Sequence, residues 1–312
     1  MPQHLLILAP LPDFLMEPLR AHYECHEYHS GADKPALPQE CGSTIRGIVG
    51  SGGTNYSEAI LQQLPRVEII SVLGVGYDGV PLDYCRARGI HVTNTPDVLT
   101  DDVADTALAL VLMTSRKLVA ANRFLHDGKW QRGQFELASA LHGKTAGIFG
   151  LGRIGKAIAI RLAACGMKIA YYGRKAQPVP YDFLGSLIDL ARESDFLIVA
   201  CPGGPETRHK INAEVLAALG SDGTLINIAR GSIVDEAALI SSLKNGTIKA
   251  AGLDVFENEP NLPAELLQLD NAVLLPHIGS ATRETRGAMA DLVVRNLAAH
   301  FAGQPLVTPI TL

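Results

Sequence analysis

No apolar stretch in this chain approaches the ~18 residues that a membrane-spanning helix needs. The apolar N-terminal run "HLLIL" has no basic lead and no small-residue cleavage site, and Asp13 follows soon after. It reads as a buried strand rather than a secretion signal. Basic residues are not in excess: the formal net charge is −5. That speaks against general nucleic-acid binding, which needs a basic face to displace counterions. Cysteine is sparse and scattered, at Cys25, Cys41, Cys85, Cys165 and Cys201. With an odd count and no C-x-x-C pair, neither a disulfide framework nor a zinc site is expected. Reduced, mostly buried thiols in a cytoplasmic protein are the simpler reading. There is also no Ser/Gly-rich linker, repeat or low-complexity tract.

What is present is a chain of 312 residues, 47% hydrophobic and 19% charged. That length fits two domains of ordinary size with their own cores. Short apolar runs alternate with helical patterns almost throughout. Candidate strands are "HLLIL", "GIVG", "EIISVLG" and "IHVTN", then "TAGIFG", "KIAYY", "DFLIVAC", "TLINIA", "KAAGLDV" and "AVLLPH". Several are apolar without alternation, as when helices cover both faces of a parallel sheet. The class is therefore α/β with right-handed crossovers. Two longer helices stand apart. One starts near Asp101, capped by Thr100 or Asp101, with Val103, Ala107, Leu110 and Thr114 on one face. The other runs from about Ala281 to Phe301, with Met289, Leu292, Val293, Leu297 and Phe301 as its apolar stripe. A chain that leaves one domain, builds a second and returns needs two such connectors. The expected division is residues 1–97 plus 284–312 for one domain and 98–283 for the other.

The densest signal is "TAGIFGLGRIGKAIAIRLAACGMKIAYYGRK". Gly150, Gly152 and Gly155 form G-x-G-x-x-G, weak alone. Here a strand leads into it, a helix from Arg153 to Ala164 leaves it, and a second strand completes a unit of about thirty residues. The first glycine permits the tight turn, the second lets backbone approach a pyrophosphate, and the third lets helix and strand pack closely. The amides at the helix start, from Arg153 and Ile154, face the phosphates. About twenty positions beyond the loop, an NAD site carries an acid for the ribose 2′-hydroxyl. This chain has Gly173, Arg174 and Lys175 instead. Space and two cations suit a 2′-phosphate, so NADPH is the expected cofactor, with NAD binding more weakly. An ion pair at ~4 Å and an effective dielectric of ~20 is worth about 4 kcal/mol before solvent competes, which falls to ~0.2–1 kcal/mol when fully exposed.

Three further segments carry reactive side chains at predicted strand ends, where open α/β sheets bind ligands. "INIARGSIVDEAAL" places Arg230 there, ahead of a helix capped by Asp235. Its guanidinium fork can bind a carboxylate bidentately. "AGLDVFENEP" groups Asp254, Glu257 and Glu259, and spacing does not select among them. "NAVLLPHIGSAT" sets His277 between Pro276 and Gly279 at a predicted domain junction.

The ordered set "TPDVLTDDVADTALAL", "GLGRIG", "NIARGSIVDEAAL", "GLDVFENEP" and "LLPHIGSAT" resembles the D-isomer-specific 2-hydroxyacid dehydrogenase family over almost the whole chain. Within it, "YYGRK" and "HIGSATRETRGAMADLVVRNL" look most like the NADPH-preferring glyoxylate/hydroxypyruvate reductases and the hydroxyphenylpyruvate reductases. The resemblance implies two doubly wound parallel-sheet domains, a Rossmann domain inserted in a flavodoxin-like one. It implies reduction of a small 2-oxo acid to a D-2-hydroxy acid. Arg230 would hold the substrate, His277 would be the general acid, and Glu259 would hold the other imidazole nitrogen, fixing the tautomer and favouring the protonated ring. Backbone amides of "LGVGYDG" (Gly74, with Val75 and Gly76 the best candidates) would meet the substrate carboxylate, and "GSGGTN" (Gly52) would line the same cleft. Val103, Thr106, Cys201, Pro202, Ile228, Ala229, Asp254, Gly279 and Ser280 match cofactor-contact positions. "ACPGGPETRHKI" departs from the commoner "VPLT" form around Cys201 and Pro202. A homodimer is implied too, with Trp130 of "HDGKWQRG" either near its interface or in ordinary packing. Two other readings fit parts of the pattern. An NAD-linked phosphoglycerate-type dehydrogenase is opposed by Arg174 and by the lack of a regulatory domain after Leu312. A nucleotide-sensing corepressor-like protein is opposed by the full catalytic set.

Overall fold

A computed structural model describes residues 2–28 and 42–311. Cys41 lies outside the described residues. The chain divides into two compact units, residues 1–99 with 282–312, and residues 100–281.

Unit 1 is built on a five-stranded, wholly parallel sheet. Its strands are β1 (Gln3–Ile7), β2 (Tyr23–Glu27), β3 (Ile45–Ser51), β4 (Ile69–Leu73) and β5 (His91–Thr93), in the order β2-β1-β3-β4-β5. This 2-1-3-4-5 order is the flavodoxin-like one. The centre of the sheet is covered on both faces: all five residues of β4 are buried. Each fully buried Leu or Ile side chain is worth about 1.5–3 kcal/mol over an exposed one. Helices α1 (Asp13–His22), α2 (Glu58–Gln62) and α3 (Leu82–Arg88) belong to this unit. One element was not foreseen. "YECHE" is strand β2, a polar edge strand whose two glutamates and one histidine hid it from a search for apolar runs.

Unit 2 carries a seven-stranded parallel sheet. Its strands are β6 (Thr145–Phe149), β7 (Lys168–Tyr172), β8 (Asp182–Phe183), β9 (Phe196–Val199), β10 (Thr224–Asn227), β11 (Ala250–Leu253) and β12 (Ala272–Leu274). The order β12-β11-β10-β9-β6-β7-β8 reverses at β6/β9 and is the doubly wound pattern of dinucleotide-binding domains. Helix α4 (Thr100–Ser115) opens the unit, and Thr100 is its first helical residue rather than its cap. Val103, Ala107 and Leu110 are buried on it as the pattern requires. Helix α5 (Leu118–His126) buries none of its residues. Helices α6 (Arg153–Ala164), α7 (Leu187–Glu193), α8 (Ala213–Leu219), α9 (Glu236–Lys244) and α10 (Ala264–Leu267) follow. Asp235 caps α9 by accepting the Ala238 amide. The chain then returns to unit 1 through α11 (Arg283–Phe301), capped by Thr282, whose hydroxyl accepts the Thr285 amide at 3.2 Å. The short strand β8 was also missed, two residues being too few to leave a pattern.

Candidate active site

Because every strand pair of unit 2 is parallel, all its strand ends of one kind face the same way. The proposed site residues fall just past the carboxyl ends: Gly150 after β6, Gly173 after β7, Cys201 after β9, Ile228 to Arg230 after β10, Asp254 after β11 and His277 after β12.

The glycine turn divides its labour as the motif requires. Gly150 has φ 101°, and a Cβ there would sit 2.6 Å from the Cys201 backbone. A Cβ on Gly155 would lie 2.2 Å from the Gly150 carbonyl oxygen, so α6 can seat on β6 only without one. Gly152 faces open space, which leaves its backbone accessible to a ligand. It also starts α6 with no side-chain cap, and Arg153 and Ile154 supply the first helical amides. Those amides and the helix dipole favour an anion. Arg174 and Lys175 are exposed, and among the described residues no hydrogen bond or ion pair engages either. Gly173 has nothing within 4 Å of its would-be Cβ. Cys201 is buried against the turn, and burial pushes its thiol up to about 12, so it is a packing group and stays protonated. Pro202 is exposed and Ile228 buried.

The reactive cluster is assembled by carboxylates and one amide. Asn227, 1% exposed, donates to the Arg230 carbonyl at 2.9 Å and accepts the Ala229 amide at 3.1 Å, which fixes the turn that presents Arg230. Sequence reasoning passed over Asn227. Its signal was a polar residue at the last position of an otherwise apolar strand. A Cβ on Gly231 would collide with the Phe256 backbone at 1.8 Å, so the Arg230 turn and the Glu257 loop are pressed together. Asp254, 1% exposed, accepts the Ile278 amide at 2.7 Å and the Gly279 amide at 2.8 Å. Burial raises its carboxyl above the ordinary range, against the pull of those two amides. His277 sits between these anchors at φ 53°, a conformation that costs a non-glycine residue about 1–3 kcal/mol. Its Nδ1 lies 2.7 Å from Glu259 Oε2, while Glu259 Oε1 accepts the Phe256 amide at 2.8 Å. Burial pushes the Glu259 carboxyl up, but the His277 hydrogen bond and charge, the Phe256 amide and the Arg230 charge outweigh it and hold it below the ordinary glutamate value. The His277 side chain is about half exposed, at 49%.

Of the three acids in "LDVFENEP", Glu259 therefore meets the histidine. Glu257 instead accepts from Arg208 at 2.8 Å and lies 2.8 Å from His209 Nε2. Val103, Asp254 and Gly279 converge: a Cβ on Gly279 would stand 2.9 Å from Asp254 Oδ2 and 3.5 Å from Val103. Ser280 follows at the end of the same loop, half-buried. Within unit 1, the Gly74 amide donates to Thr95 Oγ1 at 3.0 Å and Asn94 Nδ2 donates to the Val75 carbonyl at 2.8 Å. A Cβ on Gly74 would lie 3.3 Å from the Gly52 amide nitrogen, so the two glycine loops of this unit touch.

A carboxylate-held histidine and an arginine whose charge reaches that carboxylate, both at the strand ends of a doubly wound sheet, suit reduction of a carbonyl. A model of the "D-isomer specific 2-hydroxyacid dehydrogenase, NAD binding domain" matches residues 108–279. The chain belongs to that family. Family members similar along their full lengths include a glyoxylate/hydroxypyruvate reductase A of Arabidopsis thaliana, 46% identical over 98% of both chains. A hydroxyphenylpyruvate reductase of Plectranthus scutellarioides is 45% identical over 98% of both. A solved NADPH-dependent glyoxylate/hydroxypyruvate reductase of Sinorhizobium meliloti, in complex with NADP and malonate, superposes with a TM-score of 0.94 at 45% identity. It covers 100% of this chain and 97% of its own.

Proposed function

We propose that this protein reduces a small 2-oxo acid of the glyoxylate or hydroxypyruvate type to the D-2-hydroxy acid at the expense of NADPH. The observation that carries the reading is the 2.7 Å Glu259–His277 contact through Nδ1. It leaves Nε2 as the group that meets substrate. His277 Nε2 donates the proton to the substrate carbonyl oxygen. Glu259 keeps the ring in the tautomer that can do so and stabilises its charge. The Arg230 fork binds the substrate carboxylate and, with protonated His277, stabilises charge growing on the carbonyl oxygen. The nicotinamide, when bound, supplies the hydride. Gly150, Gly152 and Gly155 with the α6 amides would hold its pyrophosphate, and Arg174 with Lys175 its 2′-phosphate. Val103, Ile228, Ala229, Asp254, Gly279 and Ser280 are assigned to the remainder of the cofactor, with Cys201 and Pro202 at the turn. Within unit 1 the Val75 and Gly76 amides, with Gly52 beside them, are assigned to carboxylate recognition. No metal takes part in this chemistry.

The test is oxidation of NADPH and NADH by the purified protein with glyoxylate, hydroxypyruvate, an aromatic 2-oxo acid and 2-ketogluconate. Turnover with NADPH and at least one of the first two acids is expected. Failure with all four would favour a nucleotide-sensing protein, and a clear NADH preference would restore the NAD-linked alternative.

The protein is further proposed to act as a homodimer. Leu118 and Val119 at 46% and 47% exposure, Leu125 at 54%, Trp130 at 67% and Leu137 at 95% stand outside the core of unit 2. Trp130 is therefore not a core packing residue. A second copy covering this surface would remove it from water. Light scattering of wild type should give twice the mass of the chain, and Leu125→Glu with Trp130→Glu should halve it. A monomeric wild type would contradict the dimer. The four described cysteines are free thiols, which suits the reducing cytoplasm. No helix among the described residues is long and apolar enough to cross a membrane.

A further inference from the structure

The edge strand β2 brings together residues that no local motif announces. β1 and β2 pair in parallel, with His4 opposite Glu24 and Leu6 opposite His26. Side chains two apart on a strand share a face, so His4, Glu24 and His26 all stand on one side of this two-strand edge. The alternate residues Cys25 and Glu27 point to the other side, where Glu27 pairs with Arg20. One ligand atom from each of His4, Glu24 and His26 can be chosen so that all three lie within 4.8 Å of one another. His4 Nδ1 is 3.0 Å from His26 Nε2, with the two rings stacked at 5.3 Å and 14°. His4 Nε2 is 3.7 Å from Glu24 Oε2.

We propose that His4, Glu24 and His26 form a binding site for a first-row transition-metal dication such as zinc. Two imidazole nitrogens that face each other can share only one proton, so at least one ring aims a lone pair at the space between them. A metal ion takes the position of that shared proton. Tetrahedral zinc with Zn–N of ~2.0–2.1 Å sets its ligand atoms about 3.4 Å apart; the 3.0 Å His4 Nδ1–His26 Nε2 spacing is near this, and the exposed Glu24 side chain, which now meets His4 Nε2, turns to the Nδ1 side to complete the set. Two imidazoles and one carboxylate suit zinc, nickel or copper rather than magnesium or calcium, which prefer all-oxygen shells. The site is reachable from solvent, with the His4 and Glu24 side chains 28% and 54% exposed. It lies where β1 begins. The glycine loop at Gly74 follows the carboxyl end of β4, at the opposite end of the same parallel sheet. Its role is consequently not in catalysis: the ion ties the edge strand β2 to β1. Cysteine spacing gave no hint of this cluster, because the ligands meet only once the two strands pair.

The test is zinc chloride titrated by calorimetry into the full-length, chelator-treated protein, with magnesium chloride as the control. Wild type should bind one more equivalent of zinc than the His4→Asn/His26→Asn double variant, and magnesium none at this site. That subtraction sets aside any zinc taken by His277 and Glu259. Glu24→Gln, an exposed substitution that keeps both imidazoles, should weaken zinc binding at least about ten-fold, the scale of losing one supporting ligand. Cobalt bound to wild type should give a visible absorption band that zinc abolishes. NADPH-linked turnover of the variants in metal-free buffer should match wild type. Equal zinc stoichiometry in wild type and the double variant, or unchanged affinity in Glu24→Gln, would overturn the assignment.

Discussion

Two ends of one sheet in unit 2 are prepared differently. Past β11 and β12, the His277 loop is held by four anchoring hydrogen bonds. The Ile278 and Gly279 amides donate to Asp254, the Phe256 amide donates to Glu259, and Glu259 meets His277. Past β7, Gly173 to Lys175 form an open turn whose two cations are exposed. In the proposed reaction, proton transfer demands a fixed distance and tautomer, and that end is built around two carboxylate acceptors, Asp254 buried and Glu259 partly exposed, and tolerates the positive φ of His277. Choosing between two nucleotides demands only charge within reach of one phosphate. In the proposed reaction, rigid geometry lies where bonds change and loose charge where they do not.

The sharpest way to break this contrast is at the rigid end. His277→Ala should lower kcat by ~10²–10⁴-fold, the span of a lost general acid. NADPH binding followed by nucleotide fluorescence should survive. Joint loss of both would make His277 a structural residue and erase the distinction.

At the loose end the effect is smaller and selective. Arg174→Asp should weaken NADPH about ten-fold or more relative to NADH, as expected for a partly exposed charge pair that is reversed. Equal loss for the two nucleotides would deny a 2′-phosphate contact and leave Arg174 a solvated turn residue.

The smallest effect sharpens the comparison through pH. The Glu259 carboxyl is held below its ordinary value of about 4.5 in the folded protein. Its pairing therefore stabilises the fold fully above about 4.5 and is lost as pH falls through the lower folded value. Thermal melts of wild type and Glu259→Gln should differ most near neutrality and converge in acid. A difference that grows on acidification would mean that the carboxylate is not stabilised by His277.

These contrasts also account for what could be read in advance. The glycine turn, α6 and the α9 cap were legible because each is local: the residues that do the work are within a few positions of one another. Arg230 and His277 were legible as positions, since both follow apolar runs. The partner of His277 was not, because Asp254, Glu257 and Glu259 are equivalent along the chain and differ only in what folding sets opposite them. The resemblance to known dehydrogenases supplied that choice. Asn227 escaped notice for the same reason, its two hydrogen bonds existing only once the β10 turn has formed. β2 escaped because an edge strand need not be apolar, and with it escaped the His4–Glu24–His26 cluster. The exposed surface of α5 is likewise invisible in a pattern whose apolar residues look like any other buried stripe.

The central claim is that an imidazole held by Glu259 and the guanidinium of Arg230 converge on one carbonyl. A crystal structure of the protein with NADP and a non-reducible carboxylate tests it most directly. The account predicts His277 Nε2 and the Arg230 fork both within hydrogen-bonding distance of the bound acid, beside the nicotinamide. Either side chain turned away from the ring would contradict it.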